Sequence, residues 1–99
     1  MVMKFNIILE NKCDKFLKKL AKSNPKEFLK INIFLNETLP TCENPCTLPN
    51  AKHLQGFNDN RYRWRLGDYR IIGIVKNDTF QLIRVIKINK RDENTYKGL

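Results

Sequence analysis

A single histidine among 99 residues excludes any catalytic site built on paired histidines within one chain. Three cysteines, an odd number, exclude a closed disulfide framework and fit a reducing compartment. Only four glycines are present, and no glycine-rich phosphate loop or Ser-His-Asp arrangement can be drawn. No apolar run approaches the ~18 residues of a spanning helix. The short apolar start Val2-Met3-Lys4-Phe5-Asn6-Ile7-Ile8-Leu9 lacks a signal-peptide cleavage region, so the cytoplasm is the expected location. Acidic residues are scarce as well: ten against nineteen lysines and arginines, for a net charge of +9. Such a balance favours nucleic acid, an anionic membrane surface or an acidic protein as partner, and the missing apolar run weakens the membrane reading.

What remains is an ordinary globular composition, 41% hydrophobic and 29% charged, and enough chain for one domain with one core. Residues 2–9 read as a first strand with Phe5, Ile7 and Leu9 on one face. A helix is predicted over 11–22, where Cys13, Phe16, Leu17 and Leu20 recur at i, i+3, i+4 and i+7. A second helix starts at Asn24 as cap, Pro25 at the first helical position and Glu27 as capping-box acid. It is expected to reach about 38, burying Phe28, Ile31, Leu35 and Leu39 against an antiparallel partner helix. Residues 40–58 read as a long loop with one short strand near 52–54. Cys42, Cys46 and His53 within it offer at most three metal ligands at a spacing that matches no strong zinc signature, so neither metal nor cofactor is expected. Three strands then follow, over 61–66, 69–75 and 79–87, with a turn at Gly67-Asp68 and another at Asn77-Asp78. The order β-α-α-β-β-β predicts an α+β domain, two helices packed on one face of a largely antiparallel four-stranded sheet.

Residues 61–70, Arg-Tyr-Arg-Trp-Arg-Leu-Gly-Asp-Tyr-Arg, carry the strongest functional signal. Strand periodicity puts Arg61, Arg63 and Arg65 on one face and Tyr62, Trp64 and Leu66 on the other, toward the core. Alternate strand residues lie about 6.8 Å apart, close to the roughly 6–7 Å between phosphates along a nucleic-acid strand. Arginine, which grips phosphate bidentately, suits that task better than lysine. Arg70 begins the next strand, and Lys90, Arg91 and Tyr96 follow the last. Cleavage of a phosphodiester by the adjacent 2′-hydroxyl needs a base, cations for the charge growing on phosphate, and an acid for the leaving 5′-oxygen. Guanidiniums supply the cations at any pH. A tyrosine surrounded by cations is drawn toward the phenolate a base requires.

Leu54-x-Gly56, Arg61-x-Arg63-x-Arg65, the run Gly67-Asp68-Tyr69-Arg70, and Lys90-Arg91 followed by Tyr96 together resemble the RelE/ParE superfamily of bacterial toxins. The similarity is strongest to the RelE-type messenger-RNA interferases. The resemblance implies a metal-independent endoribonuclease that cuts mRNA in the ribosomal A site by 2′-hydroxyl attack and is silenced by a cognate antitoxin. It further implies that Arg70 stabilises the phosphate transition state, that Arg91 aids the leaving group, and that Tyr96 positions or deprotonates the nucleophile. Arg61 and Arg63 match two lysines that bind RNA in RelE, and Arg65 and Lys90 extend that basic surface. Arginine does not readily lose a proton, so a base role at Arg61 or Arg63 gives way to Tyr96 or to substrate positioning. Lys90 stands where many relatives carry a histidine, which removes one candidate acid or base. Within the same superfamily, a ParE-like toxin that binds gyrase is the rival reading. A noncatalytic RNA-binding or decayed toxin domain is the third. The charge of +9 predicts an acidic antitoxin laid across the surface.

Overall fold

The computed structural model describes residues 4–77 and 81–90. Asp78 of the expected turn at 77–78 and the catalytic candidates Arg91 and Tyr96 fall outside the described residues, whereas Asn77 is the last residue of a strand.

Strand β1 spans Asn6–Leu9 and is followed by helix α1, Asn11–Ser23. The predicted stripe faces inward: Cys13, Leu17 and Leu20 are buried and Phe16 packs against them. Asn24 joins two helices. Its N–H donates to the Leu20 carbonyl at 2.7 Å, closing α1, and its side chain accepts the Glu27 N–H at 3.4 Å, opening α2 at Pro25–Ile33. Because the Asn24 N–H is already used on Leu20, Glu27 does not complete a reciprocal capping box. Its carboxylate instead accepts from Lys30, one turn on.

The second helical stretch covers its predicted span and three residues more, but its α-helical part ends at Ile33. Phe34–Thr38 forms a π-turn, and a last α-turn, α3, covers Leu39–Thr41. Pro40 explains the widening. A proline there has no N–H for the carbonyl four residues back, and its ring collides with that carbonyl. The chain opens by one residue, and the Leu39 N–H reaches the Phe34 carbonyl. Through this adjustment Ile31, Phe34, Leu35, Leu39 and Pro40 are all buried.

A 3₁₀ turn at Pro45–Thr47 leads to β2, Ala51–His53, and then to β3, Arg61–Leu66, β4, Tyr69–Asn77, and β5, Gln81–Lys90. The sheet therefore has five strands, where four were expected, in the order β1-β5-β4-β3-β2. The added strand is the short β2. β1 runs parallel to β5, and the other pairs are antiparallel. The helices cover one face, and a single buried cluster joins them to Phe5, Trp64, Tyr69, Ile71, Val75, Ile83, Val85 and Ile88. Trp64 lies at its centre, fully buried, with its indole N–H donating to the Pro45 carbonyl at 2.9 Å. Among the described residues, no helix is long and apolar enough to cross a membrane.

The inward residues of β5 are spaced two and then three apart: Ile83, Val85, Ile88. Strict alternation forbids that, and a β-bulge permits it. Ile72 pairs with Lys87 while the next residue, Gly73, pairs with Val85, leaving Ile86 as the extra residue. Beyond the bulge every β5 side chain changes face, which decides the composition of the site below.

Candidate nucleic-acid interface

Residues directly opposite on neighbouring strands share a face, so the register assembles the surface turned away from the helices. One cross-strand row reads Arg65, Arg70, Asn89. The next reads Lys52, Arg63, Ile72, Lys87. A third reads Arg61, Ile74, Arg84. The arginine alternation of β3 is thus observed, with Tyr62, Trp64 and Leu66 packed on the core side. The three guanidiniums nonetheless differ in circumstance.

Arg65 is exposed. Arg63 is half-buried, and its Nη1 donates to the Asn50 carbonyl at 3.2 Å. Asn50 also accepts the Arg65 N–H at 3.0 Å and returns its own side-chain amide to the Arg65 carbonyl at 3.0 Å, so one loop residue braces this strand edge. Arg61 donates through Nε to Asp59 at 2.8 Å, and its guanidinium lies 4.3 Å above the centre of the Phe57 ring. Phe57, from the loop before β3, therefore backs an arginine.

Arg70 is held most firmly. The turn between β3 and β4 has Gly67 at φ 57° with Asp68 at negative φ, the pattern of a type II′ hairpin with glycine at its first central position. This turn directs the Gly67 carbonyl back toward the start of β4. Arg70 Nη1 lies 3.3 Å from it and 3.3 Å from the Tyr69 carbonyl. Although on the same face as Arg65 and directly opposite it, Arg70 is only 7% exposed. A guanidinium so oriented presents a permanent charge in one direction, the requirement for stabilising charge that develops on a phosphate.

The bulge sorts the basic residues of β5. Lys87 comes onto the arginine face in the row of Arg63, a cation that sequence reasoning had passed over. Lys90 pairs with Tyr69 and so falls, by alternation, on the helix side at the strand's end. The inward triplet Ile83, Val85, Ile88 was the available signal for this shift.

Among tyrosines, Tyr62 is an unsuitable base. Hydrogen bonding with the Cys46 side chain, and then burial, push its phenol above the ordinary range. It stacks between Trp64, at 6.2 Å, and His53, whose ring meets it edge-on at 5.1 Å. Among the described residues, no group of His, Cys, Asp and Glu is arranged to hold a metal ion.

No family model matches the chain. A curated protein of Methanocaldococcus jannaschii named "Putative toxin RelE1" is 38% identical over 96 residues, spanning 97% of this chain and 99% of the relative. Among solved structures, the archaeal RelE–RelB complex from Pyrococcus horikoshii has a chain superposing with a TM-score of 0.60 at 29% identity, over 92% of this chain and 99% of its own. The toxin–antitoxin complex RelBE2 from Mycobacterium tuberculosis gives 0.68 at 18% identity, over 91% of this chain and 100% of its own. A YoeB/ParE toxin from Agrobacterium tumefaciens gives 0.68 at 14%, over 88% and 99%, a likeness of fold. With a bulged five-stranded sheet under two helices, and 38% identity over 97% of its length to a protein named as a RelE toxin, the chain belongs to the RelE/ParE superfamily of toxins.

Proposed function

We propose that this chain is the toxin of a toxin–antitoxin pair and acts as an endoribonuclease on ribosome-bound mRNA, cleaving by attack of the substrate 2′-hydroxyl without a metal ion. The observation that carries the reading is the Arg65–Arg70 cross-strand pair, with Arg70 oriented by the Gly67 and Tyr69 carbonyls. The chemistry assigned to these residues is electrostatic. As the 2′-oxygen closes on phosphorus, negative charge grows on the non-bridging oxygens, and a guanidinium already in position lowers the barrier without reorganising. Arg70 takes that role. Arg65, Arg63 and Lys87 grip the flanking phosphates, with Arg61 at one margin; Lys90, turned to the helix side, is left out of that grip. Tyr96 positions or deprotonates the 2′-hydroxyl, and Arg91 assists departure of the 5′-oxygen. Two of the similar solved structures are complexes with an antitoxin. A chain of net charge +9 suits an acidic antitoxin in the same way.

The test is primer extension on programmed ribosomes in EDTA. Wild type is expected to cut within the A site. Arg70→Ala and Tyr96→Phe should each lower the rate about a hundredfold or more. Absence of cleavage by folded wild type would overturn the nuclease reading and direct attention to gyrase inhibition.

A further inference from the structure

Two guanidinium nitrogens on the arginine face, Arg61 Nη1 and Arg63 Nε, are buried and have no hydrogen-bond partner. An N–H buried without a partner loses its hydration and gains nothing in return, so two of them on neighbouring arginines of one strand call for an explanation. Alternate residues on a strand stand about 6.8 Å apart, which suits consecutive phosphates. Next to this pair stands Asp59, one of two acids that engage arginines of this face, the other being Glu10 on Arg84 at 2.7 Å. Asp59 engages Arg61 through Nε at 2.8 Å, and that leaves Nη1 unused. A carboxylate that satisfies one donor of a guanidinium while another stays unpaired is an incomplete match. A phosphate, with oxygens spaced for the guanidinium fork, can take two donors at once.

We infer that Asp59 holds the place of an RNA phosphate on Arg61, and that bound substrate displaces it while the next phosphate along the strand takes the unpartnered Nε of Arg63. Asp59 is suited to leave. Its side chain is 32% exposed and sits on the loop between β2 and β3, whereas Arg61 is 17% exposed and remains backed by Phe57. Release of the carboxylate frees the Arg61 Nε donor, and Asp59 lies on a loop, so β3 keeps its place. In the free toxin Asp59 then acts as an internal competitor: it keeps Arg61 oriented, offsets its charge, and lowers affinity for polyanions that fail to displace it. The inference rests on the reading of this face as an RNA surface.

The experiment measures binding of a short single-stranded RNA with methylated 2′-hydroxyls, which cannot be cleaved by 2′-hydroxyl attack. Fluorescence anisotropy over a series of salt concentrations compares wild type, Asp59→Asn, Arg61→Ala, the double variant and Arg65→Ala. Asp59→Asn is expected to bind about three- to tenfold tighter at low salt. Its plot of log affinity against log salt should be steeper by about 0.7, the increment for one added phosphate contact on a single strand. Both differences should vanish when Arg61 is alanine. A gain that persists without Arg61 would reduce Asp59 to a general charge effect, and equal or weaker binding by Asp59→Asn would make it a positioning residue; either overturns the inference. Should Arg65→Ala bind as wild type does, or wild type bind no RNA, the reading of the face fails and takes the inference with it.

Discussion

At the scale of the residue, position in the sheet decides what each side chain is able to do. Cys13 is almost fully buried on α1 with its thiol directed at the Val85 carbonyl, and burial, the largest influence, pushes its pKa from 9.0 to about 11. The folded state thus holds this proton more tightly than the unfolded chain does. Stability is intact below pH 9 and falls as the pH rises from about 9 toward 11. The loss is on the order of 2 kcal/mol. Urea melts at pH 8 and pH 10.5 should show that decline, and Cys13→Ala, weaker at both, should show less of it. The inward and outward identities of Arg61, Arg63, Arg65, Tyr62 and Trp64 were legible because a half-buried strand writes its two faces alternately into the sequence. The partners of those arginines were not. Asp59 reaches Arg61 across a turn of irregular backbone, and the burial of Arg70 follows from a carbonyl direction that residue identity does not encode.

At the scale of the element, the sequence carried signals of unequal clarity. β3 lies where alternation placed it, and α1 extends one residue past its predicted end. β2 lies one residue from its expected position. The π-turn before Pro40 was hidden because proline was read as the end of a helix, while a turn widened by one residue lets the chain continue. The bulge in β5 was hidden because a two-residue period was assumed throughout. Gly73, beside that bulge, supplies a test. A Cβ there would stand 3.0 Å from Trp64 Cζ3 and 3.1 Å from Ile83 Cγ2, both in the packed core. Gly73→Ala should therefore destabilise the fold by about 1–3 kcal/mol through overpacking. Alanine ordinarily favours a strand over glycine, so a loss in urea unfolding would report the Trp64 contact specifically.

At the scale of the whole molecule, β5 is the element on which the rest depend. It lies between β1 and β4, among the described residues it is the only strand paired with β1, and it contributes Ile83, Val85 and Ile88 to the shared core. No local pattern revealed that the first strand pairs with the last, since hydrophobic alternation marks a face and leaves the neighbour unspecified. A chain ending at residue 77 retains both helices and three paired residues of β2 on β3, yet it should show no cooperative urea transition by circular dichroism.

The parallel pairing of β1 with β5 also has a consequence for synthesis. The N-terminal strand leaves the ribosome first and must wait for the last strand before its hydrogen bonds can form. The sheet is thus incomplete until β5 has been made. If the protein cuts messages under translation, its own among them, every shortened product that ends before residue 81 lacks the strand that joins the two halves of the sheet. Damage to the transcript then yields inert fragments, and only complete chains require neutralising by an antitoxin.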